Sequence, residues 1–267
     1  MKIINANTLS FTTIPVELKF KETGKTLFTG TAFIYKYNSK FFLITNWHIV
    51  TGLKPKDKTP ISDHGGIPDQ MIISFLVSKN PVLYSYYPFD LYDQNISEWL
   101  IHPTLGENID VVAIELEFDS EFEGIIRPIN DNKFDENYEP EIGDDVFVLG
   151  YPYSLSGGGN FPIWKRGSIA TEPDIDYEQQ PKFYIDTASR PGMSGSPVIF
   201  RRIGVHGNEN GQITDNTKIG EIRNFVGIYS GRVIGETNFD AQLGIVWKKR
   251  VIEEIINGNK KEGRNFI

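Results

Sequence analysis

The sequence predicts an all-β protein built from two six-stranded antiparallel β-barrels, with a helix at the C-terminal end. Three observations support this fold class. Short apolar runs of strand length recur along the chain, separated by turn-forming residues that include 25 glycines and 15 prolines. The runs fall into two groups of about six, which suits a pair of barrels. Only the last stretch of the chain has the spacing of an amphipathic helix.

The first group of runs predicts an N-terminal barrel within residues 1–130. The segment YNSK, residues 37–40, has the composition of a hairpin turn, and NWHIVTGL, residues 46–53, is typical of a short helical turn. A polar loop rich in proline and glycine follows at 52–70. The predicted strands of this group lie at 13–20, 27–37, 40–46, 71–78, 82–87, 96–103 and 110–118.

The second group predicts a C-terminal barrel within residues 146–267, a range that also includes the final helix. An acidic connection at 130–145 has the composition of a linker between the two groups. A polar excursion at 203–224 is expected to form an exposed hairpin. The predicted strands of this group lie at 146–152, 164–171, 182–188, 196–201, 225–232 and 242–249.

The helix is predicted at 248–259, where apolar residues recur at helical spacing. Gly258 stands where a C-cap glycine belongs. The residues expected on the buried face are Val251, Ile252, Ile255 and Ile256.

Composition excludes several classes of function. The 27 basic and 35 acidic residues give a net charge of −8, which does not favour a nucleic-acid partner. The chain has no cysteine, so disulfides, thiolate zinc sites and cysteine nucleophiles are excluded. The N-terminal residues lack the apolar run of a signal peptide, and no stretch approaches the length of a membrane span. We therefore expect a cytoplasmic protein with no cofactor, no metal and no membrane partner.

The segment PGMSGSPVIF, residues 191–200, is either a tight turn or the surroundings of a nucleophilic serine. A serine hydroxyl needs a base to take its proton and donors to stabilise the oxyanion that follows. Ser194 has Gly192 two residues ahead, and the N–H groups of these two residues can form such a donor pair. Ser196 lacks a glycine at that offset and is interpreted as structural, whereas Ser189 is placed to line a pocket.

A base and a residue that orients it can be sought among the histidines and acidic residues. His48 is the best candidate of the four histidines, because it follows the apolar strand FFLITN and a residue there is half-buried at a barrel rim. The other three suit a polar loop, a strand end and the exposed hairpin: His64, His102 and His206. Asp110 opens the apolar run DVVAIEL and needs a partner there, although a turn at the start of the strand explains it equally well.

Three segments together resemble the trypsin-like serine peptidases, in particular bacterial chymotrypsin-fold enzymes and the peptidase domain of HtrA-type proteases. The segment TAFIYKYNSKFFLITNWHIV is similar to the family's histidine box, and NIDVVAIEL is similar to its aspartate box. The segment IDTASRPGMSGSPVI resembles its serine box. The family order of histidine, aspartate and serine is kept. The resemblance implies a single chymotrypsin-like peptidase domain over 1–267, with His48 and Asp110 in the first barrel and Ser194 in the second.

The resemblance also implies roles for individual residues. Ser194 attacks the scissile carbonyl, His48 acts as base and then as acid, and Asp110 holds the imidazole tautomer. The amides of Gly192 and Ser194 bind the oxyanion. The strand around Ser230 and Gly231 pairs with extended substrate. Three further residues are expected near the specificity pocket, in addition to Ser189: Ala188, Tyr229 and Arg232.

Two departures from the family pattern affect the interpretation. Met193 replaces the aspartate that pairs with a new N-terminus in the digestive enzymes, so we expect no activation by zymogen cleavage. Uncharged Ala188 argues against a preference for Lys or Arg. The sequence lacks the G-x-S-x-G of α/β-hydrolases and the H-E-x-x-H of zinc proteases.

The leading hypothesis is a serine endopeptidase that acts on a peptide or protein substrate. The alternative is a catalytically silent or activator-dependent module that binds peptides or a protein partner. A structural β-protein, in which PGMSGSP is only a turn, requires coincidence at three segments.

Overall fold

The chain folds into two antiparallel β-sheets, formed mainly by the first and by the second half of the sequence, with a helix near the C-terminal end. The computed structural model describes residues 6–62, 65–79, 82–123, 125–188, 190–207, 212–215, 217–233 and 242–263. The expectation of an all-β fold with a C-terminal helix is confirmed. Among the described residues, no helix has both the length and the apolar composition needed to cross a bilayer.

The first half of the chain supplies eight strands and two short helices. The helical turn expected at 46–53 forms, and it ends at Gly52 in the left-handed conformation with φ 72°. In chain order the elements are β1 (Thr13–Lys19), β2 (Thr26–Tyr37), β3 (Lys40–Thr45), α1 (Trp47–Thr51), β4 (Gln70–Lys79), β5 (Val82–Asp90), β6 (Tyr92–Asp93), β7 (Ile96–Ile101), β8 (Val112–Leu116) and α2 (Ser120–Glu123).

The second half supplies a closed six-stranded barrel with strand order β10-β11-β14-β13-β12-β9. β12 and β13 extend together beyond the barrel as the long hairpin that the polar excursion predicts. The elements are β9 (Asp145–Gly150), β10 (Ile163–Ile169), β11 (Lys182–Asp186), β12 (Pro197–His206), β13 (Lys218–Arg232), β14 (Leu243–Lys248), α3 (Arg250–Gly258) and β15 (Lys260–Gly263).

The N-terminal sheet differs from the expected six-stranded barrel, because it contains nine strands in the described chain. Its order is β15-β7-β8-β3-β2-β1-β4-β5, with β6 paired to β7. The strand β15 comes from the end of the chain and pairs with β7 through Lys260 and Ile101, and through Lys261 and Leu100. Residues 260–263 therefore belong to the N-terminal sheet, although the sequence grouped them with the C-terminal barrel.

The expected cap of α3 also differs. The left-handed residue that ends the helix is Asn259, with φ 46°, and Gly258 is the last helical residue. A Cβ at Gly258 would lie 2.7 Å from the ring atoms of Pro103. Glycine is therefore required there for close packing of the helix rather than for its cap.

The two sheets share an apolar interface because three central strands are buried on both faces. In β2, Ala32 and Ile34 face the core of the N-terminal sheet, and Phe33 between them faces a second core shared with the C-terminal barrel. β3 and β8 alternate in the same way. This shared core brings the last residues of β3 and the first residues of β8 up to the C-terminal barrel. It also receives Val251, Ile252 and Ile255 of α3.

Candidate active site

His48 and Asp110 meet because β3 and β8 are neighbouring antiparallel strands. Thr45, the last residue of β3, pairs with Val112, the first residue of β8. The residues that follow β3 and precede β8 therefore lie at the same end of the sheet. His48 is in the first turn of α1, and Asp110 stands two residues before β8.

The Asp110 carboxylate holds His48 through both of its oxygens. Nδ1 of the imidazole lies 2.7 Å from Oδ2, and the His48 backbone N–H donates to Oδ1 at 2.9 Å. A carboxylate accepts hydrogen bonds, so the imidazole proton is on Nδ1 and Nε2 is the nitrogen left to act as a base. His48 is 8% exposed and Asp110 is 1% exposed. Asp110 is therefore a buried charge with partners, which is more than a turn at the start of a strand requires.

A third group joins this pair from the other barrel. The Ser230 hydroxyl donates to Oδ2 of Asp110. The sequence assigned Ser230 to substrate binding, whereas in the structure its side chain contacts the aspartate that orients His48. The local cause is an irregularity in the pairing of β13 with β14 between Tyr229 and Gly231, which shifts the register at Ser230. Such a shift leaves no pattern in the sequence, so the contact could not be predicted.

The segment around Ser194 is a tight turn bonded to both sheets. The Thr31 N–H of β2 donates to the Ser194 carbonyl at 2.9 Å, and the Gly195 N–H donates to the Tyr229 carbonyl at 2.9 Å. Ser196 is fully buried, as its structural interpretation requires. Met193 is 1% exposed and packs in the core of the C-terminal barrel.

Both glycines of the turn are required by the backbone. Gly192 has φ 91° and Gly195 has φ 84°, in the left-handed region that side chains rarely adopt. A Cβ at Gly192 would lie 2.4 Å from the Tyr151 carbonyl oxygen, and one at Gly195 would lie 1.9 Å from the Thr31 carbonyl oxygen. Glycine at position 195 therefore allows the turn to approach the backbone of β2 closely.

The two proposed oxyanion donors, the N–H groups of Gly192 and Ser194, belong to peptide groups whose carbonyls accept hydrogen bonds. The Pro191 carbonyl accepts from the Tyr153 N–H at 2.8 Å, and the Met193 carbonyl accepts from the Ser196 N–H at 3.1 Å. In a trans peptide the N–H points away from the C=O, so these bonds fix the directions of the Gly192 and Ser194 N–H groups. Within the described chain neither N–H donates to a protein acceptor. Both donors are thus left for another oxygen.

The Ser194 hydroxyl lies near the backbone of Gly231, the residue that follows Ser230. The position of a Cβ on Gly231, which follows Ser230, is 4.0 Å from Ser194 Oγ. Among the described residues the hydroxyl forms no hydrogen bond with His48 or with any other side chain. The structure thus brings His48, Asp110 and Ser230 into contact, and it places the Ser194 hydroxyl near the backbone that follows Ser230.

The residues expected at the specificity pocket have different surroundings. Ala188 is half-buried after β11, and Arg232 is exposed at the end of β13. The Tyr229 side chain is 1% exposed and packs in the core of the C-terminal barrel. Gly231 has φ 118°. Ser189 lies outside the described residues.

The remaining histidines have structural contacts. His102 Nε2 lies 3.0 Å from Glu254 of α3, which ties the end of β7 to the helix. His206 was expected on the exposed hairpin but is 3% exposed, because Tyr138 of the acidic connection packs against its ring. His64 lies outside the described residues. In the described part of the chain, no cluster of three histidine or acidic side chains suits a metal ion.

The chain is similar to one known protein family and to solved structures of a protease. A family model described as a trypsin-like peptidase domain matches residues 30–205. No curated protein sequence matches the chain. Among solved structures, the chain is similar to the active form of Rv3671c protease from M. tuberculosis, with 18% identity, coverage of 94% of this chain and 81% of that chain, and a TM-score of 0.48. It is also similar to an inactive serine-to-alanine mutant of Rv3671c from M. tuberculosis H37Rv, with 18% identity, coverage of 95% and 90%, and a TM-score of 0.47.

The matched range contains the histidine segment, the aspartate segment and the serine turn. It also covers more than half of the 267 residues. This chain belongs to the family of trypsin-like peptidase domains.

Proposed function

We propose that the protein is a serine endopeptidase that hydrolyses peptide bonds through Ser194, His48 and Asp110. The observation that carries the proposal is the buried contact of Asp110 with both His48 and Ser230, next to the Ser194 turn. This contact leaves Nε2 of His48 free to accept a proton on the side away from the carboxylate.

The reaction follows from these positions. Nε2 of His48 takes the Ser194 proton as Oγ bonds to the scissile carbonyl carbon, and the carbonyl oxygen becomes an oxyanion. The N–H groups of Gly192 and Ser194 stabilise that oxyanion, and each such donor contributes about 10²–10³ in rate. The intermediate collapses to an ester on Ser194, and the amine leaves with the proton from His48. Water then attacks the ester by the same steps and regenerates the serine.

Asp110 has two tasks in this scheme. It keeps the Nδ1 proton in place, and it balances the positive charge that the imidazole carries while it holds the serine proton. The Ser230 hydroxyl supports the same carboxylate. The peptide substrate is expected to pair in extended form with β13 near Gly231, and Ala188 disfavours a basic side chain in the pocket.

A second candidate function is a silent or activator-dependent module that binds peptides or a protein partner. The observation that favours it is the lack of a hydrogen bond from the Ser194 hydroxyl to His48 within the described residues. Catalytic hydrogen bonds are often long until substrate binds, so this observation is compatible with both candidates.

Covalent labelling separates these candidates. A fluorophosphonate probe reacts only with a serine whose proton is removed by a base. We expect it to label the wild type at Ser194, to label Ser196→Ala at the same rate, and to fail on Ser194→Ala and His48→Ala. Ser196→Ala is the matched control, because it removes a neighbouring buried hydroxyl that has no hydrogen-bond partner among the residues that the structure describes. Equal labelling of the wild type and Ser194→Ala, or no labelling of either, would overturn the endopeptidase proposal.

A further inference from the structure

Glu262 is a buried carboxylate that the mechanism does not use. It lies in β15 and is 8% exposed. One of its oxygens, Oε2, accepts from the indole N–H of Trp47 at 2.9 Å and from that of Trp99 at 3.1 Å. Its backbone N–H donates to the Ser97 hydroxyl at 2.9 Å. A buried charge is costly unless it is fully hydrogen-bonded, so this arrangement needs an explanation.

The backbone of β15 aims this side chain inward. The register of β15 against β7 shifts between Lys261 and Gly263, at the position of Glu262. A bulge of this kind reorients one side chain relative to its neighbours. Lys261, the preceding residue, has an exposed ion pair with Glu98 at 3.1 Å. Adjacent residues of one short strand therefore have different surroundings.

Trp47 connects this carboxylate to the catalytic histidine. Trp47 is fully buried and is the first residue of α1, directly before His48. The Thr51 hydroxyl donates to its carbonyl at 3.0 Å, which holds the one-turn helix together. A change in the position of Trp47 therefore moves the Cα of His48, since the helix has only five residues.

Two further charged side chains, Glu107 and Lys58, influence Glu262 and the Trp47 indole. Burial raises the pKa of the Glu262 carboxyl above its ordinary value, and the negative charge of Glu107 adds to the increase, while the hydrogen bonds from the two indoles oppose it. Lys58 lies 4.2 Å from the centre of the Trp47 ring and 3.7 Å from a Glu107 oxygen. Trp47 is therefore held by an acceptor at its N–H and by a cation over its face.

We propose that Glu262 is a positioning residue, which holds Trp47 from the last strand of the chain and thereby fixes the imidazole of His48 for catalysis. The inference rests on the proposed function, because it assigns Glu262 a part in the same site. It gives β15 a role beyond completing the sheet, because Glu262 of β15 fixes the position of α1, the helix that contains His48. A misplacement of about 1 Å at a reacting group costs on the order of 10²-fold in rate.

Two tryptophan variants test this directly, because each removes one hydrogen bond to the same carboxylate. Trp47→Phe removes the indole N–H of the residue directly before His48, whereas Trp99→Phe removes the indole N–H of a residue in β7. We expect Trp47→Phe to slow fluorophosphonate labelling of Ser194 by about 10- to 100-fold. We expect Trp99→Phe to label close to the wild-type rate, although both variants lose thermal stability.

Variants at position 262 add a rescue. Glu262→Ala removes both acceptor contacts and should slow labelling as Trp47→Phe does, whereas Glu262→Gln keeps a carbonyl oxygen for the indoles and should restore most of the rate. Lys261→Ala is the control on the same strand. The second readout is the NMR titration of the His48 ring in the full-length chain, which Glu262→Ala and Trp47→Phe should shift and Trp99→Phe and Lys261→Ala should not.

The outcomes separate the positioning role from a purely structural one. Equal labelling rates and equal His48 titrations for Trp47→Phe and Trp99→Phe would overturn the inference, whatever the loss of stability. If the wild type itself is not labelled, the endopeptidase proposal fails, while the His48 titration still decides whether Glu262 holds the imidazole. If Glu262→Ala does not fold, the two tryptophan variants and Glu262→Gln carry the test alone.

Discussion

Serine hydroxyls at three positions illustrate how surroundings decide function at the scale of a residue. Ser196 is fully buried, and within the described part of the chain its hydroxyl has no hydrogen-bond partner, so this side chain contributes packing. Ser230 donates to the Asp110 carboxylate, where a hydrogen bond to a charged group is strong. Ser194 is half-buried in the turn, with the Gly231 backbone nearby. The sequence distinguished Ser194 from Ser196 by the glycine two residues ahead, but it had no means to assign Ser230.

Removal of the Ser230 hydroxyl should weaken catalysis without abolishing it. Ser230→Ala deletes one charge-assisted hydrogen bond to Asp110, worth about 1.5–3 kcal/mol. We expect kcat/KM on a peptide substrate to fall by about 10- to 100-fold, since the carboxylate then orients and balances the imidazole less well. Steady-state kinetics measure this effect, with Ser196→Ala as the control. Wild-type kinetics in Ser230→Ala would show that the contact has no catalytic role.

The Gly192 position makes a second prediction at this scale. In Gly192→Ala the new Cβ would collide with the Tyr151 carbonyl, and φ 91° is strained for alanine. The Pro191–Gly192 peptide must rotate, which removes one oxyanion donor and about 10²–10³ in kcat. A stopped assay of peptide hydrolysis checks this, with circular dichroism to show that the fold persists. Unchanged kcat in a folded variant would mean that the Gly192 N–H does not contact the oxyanion.

At the scale of elements, the sequence predicted the strands and the short helix next to His48 and Asp110. Apolar runs bounded by turn residues indicate where these elements lie. β3 and β8 are mainly apolar strands that place residues in both cores, and their ends determine where His48 and Asp110 lie. β15 could not be predicted. Its sequence KKEG is polar, and it becomes a strand only because the edge of β7 and two indole N–H groups are available to it. Long-range pairing of this kind leaves no periodicity in the sequence.

Burial of Glu262 predicts how stability depends on pH. The pKa of Glu262 is higher in the folded chain than its ordinary value, chiefly because of burial. A group with a raised folded pKa contributes stability that is present below its unfolded pKa and is lost as the pH rises through the folded value. In Glu262→Gln this loss is absent. We therefore expect the Tm of Glu262→Gln to rise relative to the Tm of the wild type as the pH increases from about 4 to 8.

The matched control for this experiment is Glu98→Gln. Glu98 lies in the adjacent strand β7 and forms the exposed ion pair with Lys261. An exposed pair contributes only about 0–1 kcal/mol, so its Tm difference from the wild type should be small at every pH. If the Tm difference between Glu262→Gln and the wild type is the same at every pH, burial does not raise the pKa of the Glu262 carboxyl.

At the scale of the whole molecule, one threonine connects the two sheets at the candidate active site. Thr31 is fully buried in β2. Its hydroxyl donates to the Gly192 carbonyl at 2.8 Å and accepts from the Tyr151 N–H at 3.3 Å, and both of these partners belong to the C-terminal barrel. The carbonyl of Thr31 accepts from the Thr45 hydroxyl at 2.8 Å. The serine turn is thus bonded to the sheet that carries the histidine.

Thr31→Val keeps the shape of this side chain and removes its hydroxyl. The half-buried Gly192 carbonyl and the buried Tyr151 N–H then lose a partner, and the buried group alone costs about 1–3 kcal/mol. We expect a lower Tm together with a lower kcat, because the serine turn is less well held against β2. Thr29→Val is the control, since the Thr29 hydroxyl contacts Ser154 at the surface. A fall in Tm with unchanged kcat would limit Thr31 to a structural role.

The overall architecture was predicted only in part. Two sheets, the closed C-terminal barrel and the terminal helix follow from the spacing of apolar runs. The nine-stranded N-terminal sheet does not, because it recruits residues from the far end of the chain. The order of the three family segments was sufficient to indicate the site, but the contacts of Ser230, Thr31 and Glu262 depend on tertiary structure.

The central claim is that this chain hydrolyses peptide bonds of a substrate with Ser194 as the nucleophile. The most direct measurement is incubation of the full-length protein with a proteome-derived peptide library, followed by mass spectrometry of new termini. We predict that the wild type generates new termini within the peptides and that Ser194→Ala generates none. An absence of cleavage by the wild type, or the same cleavage pattern from Ser194→Ala, would contradict the account.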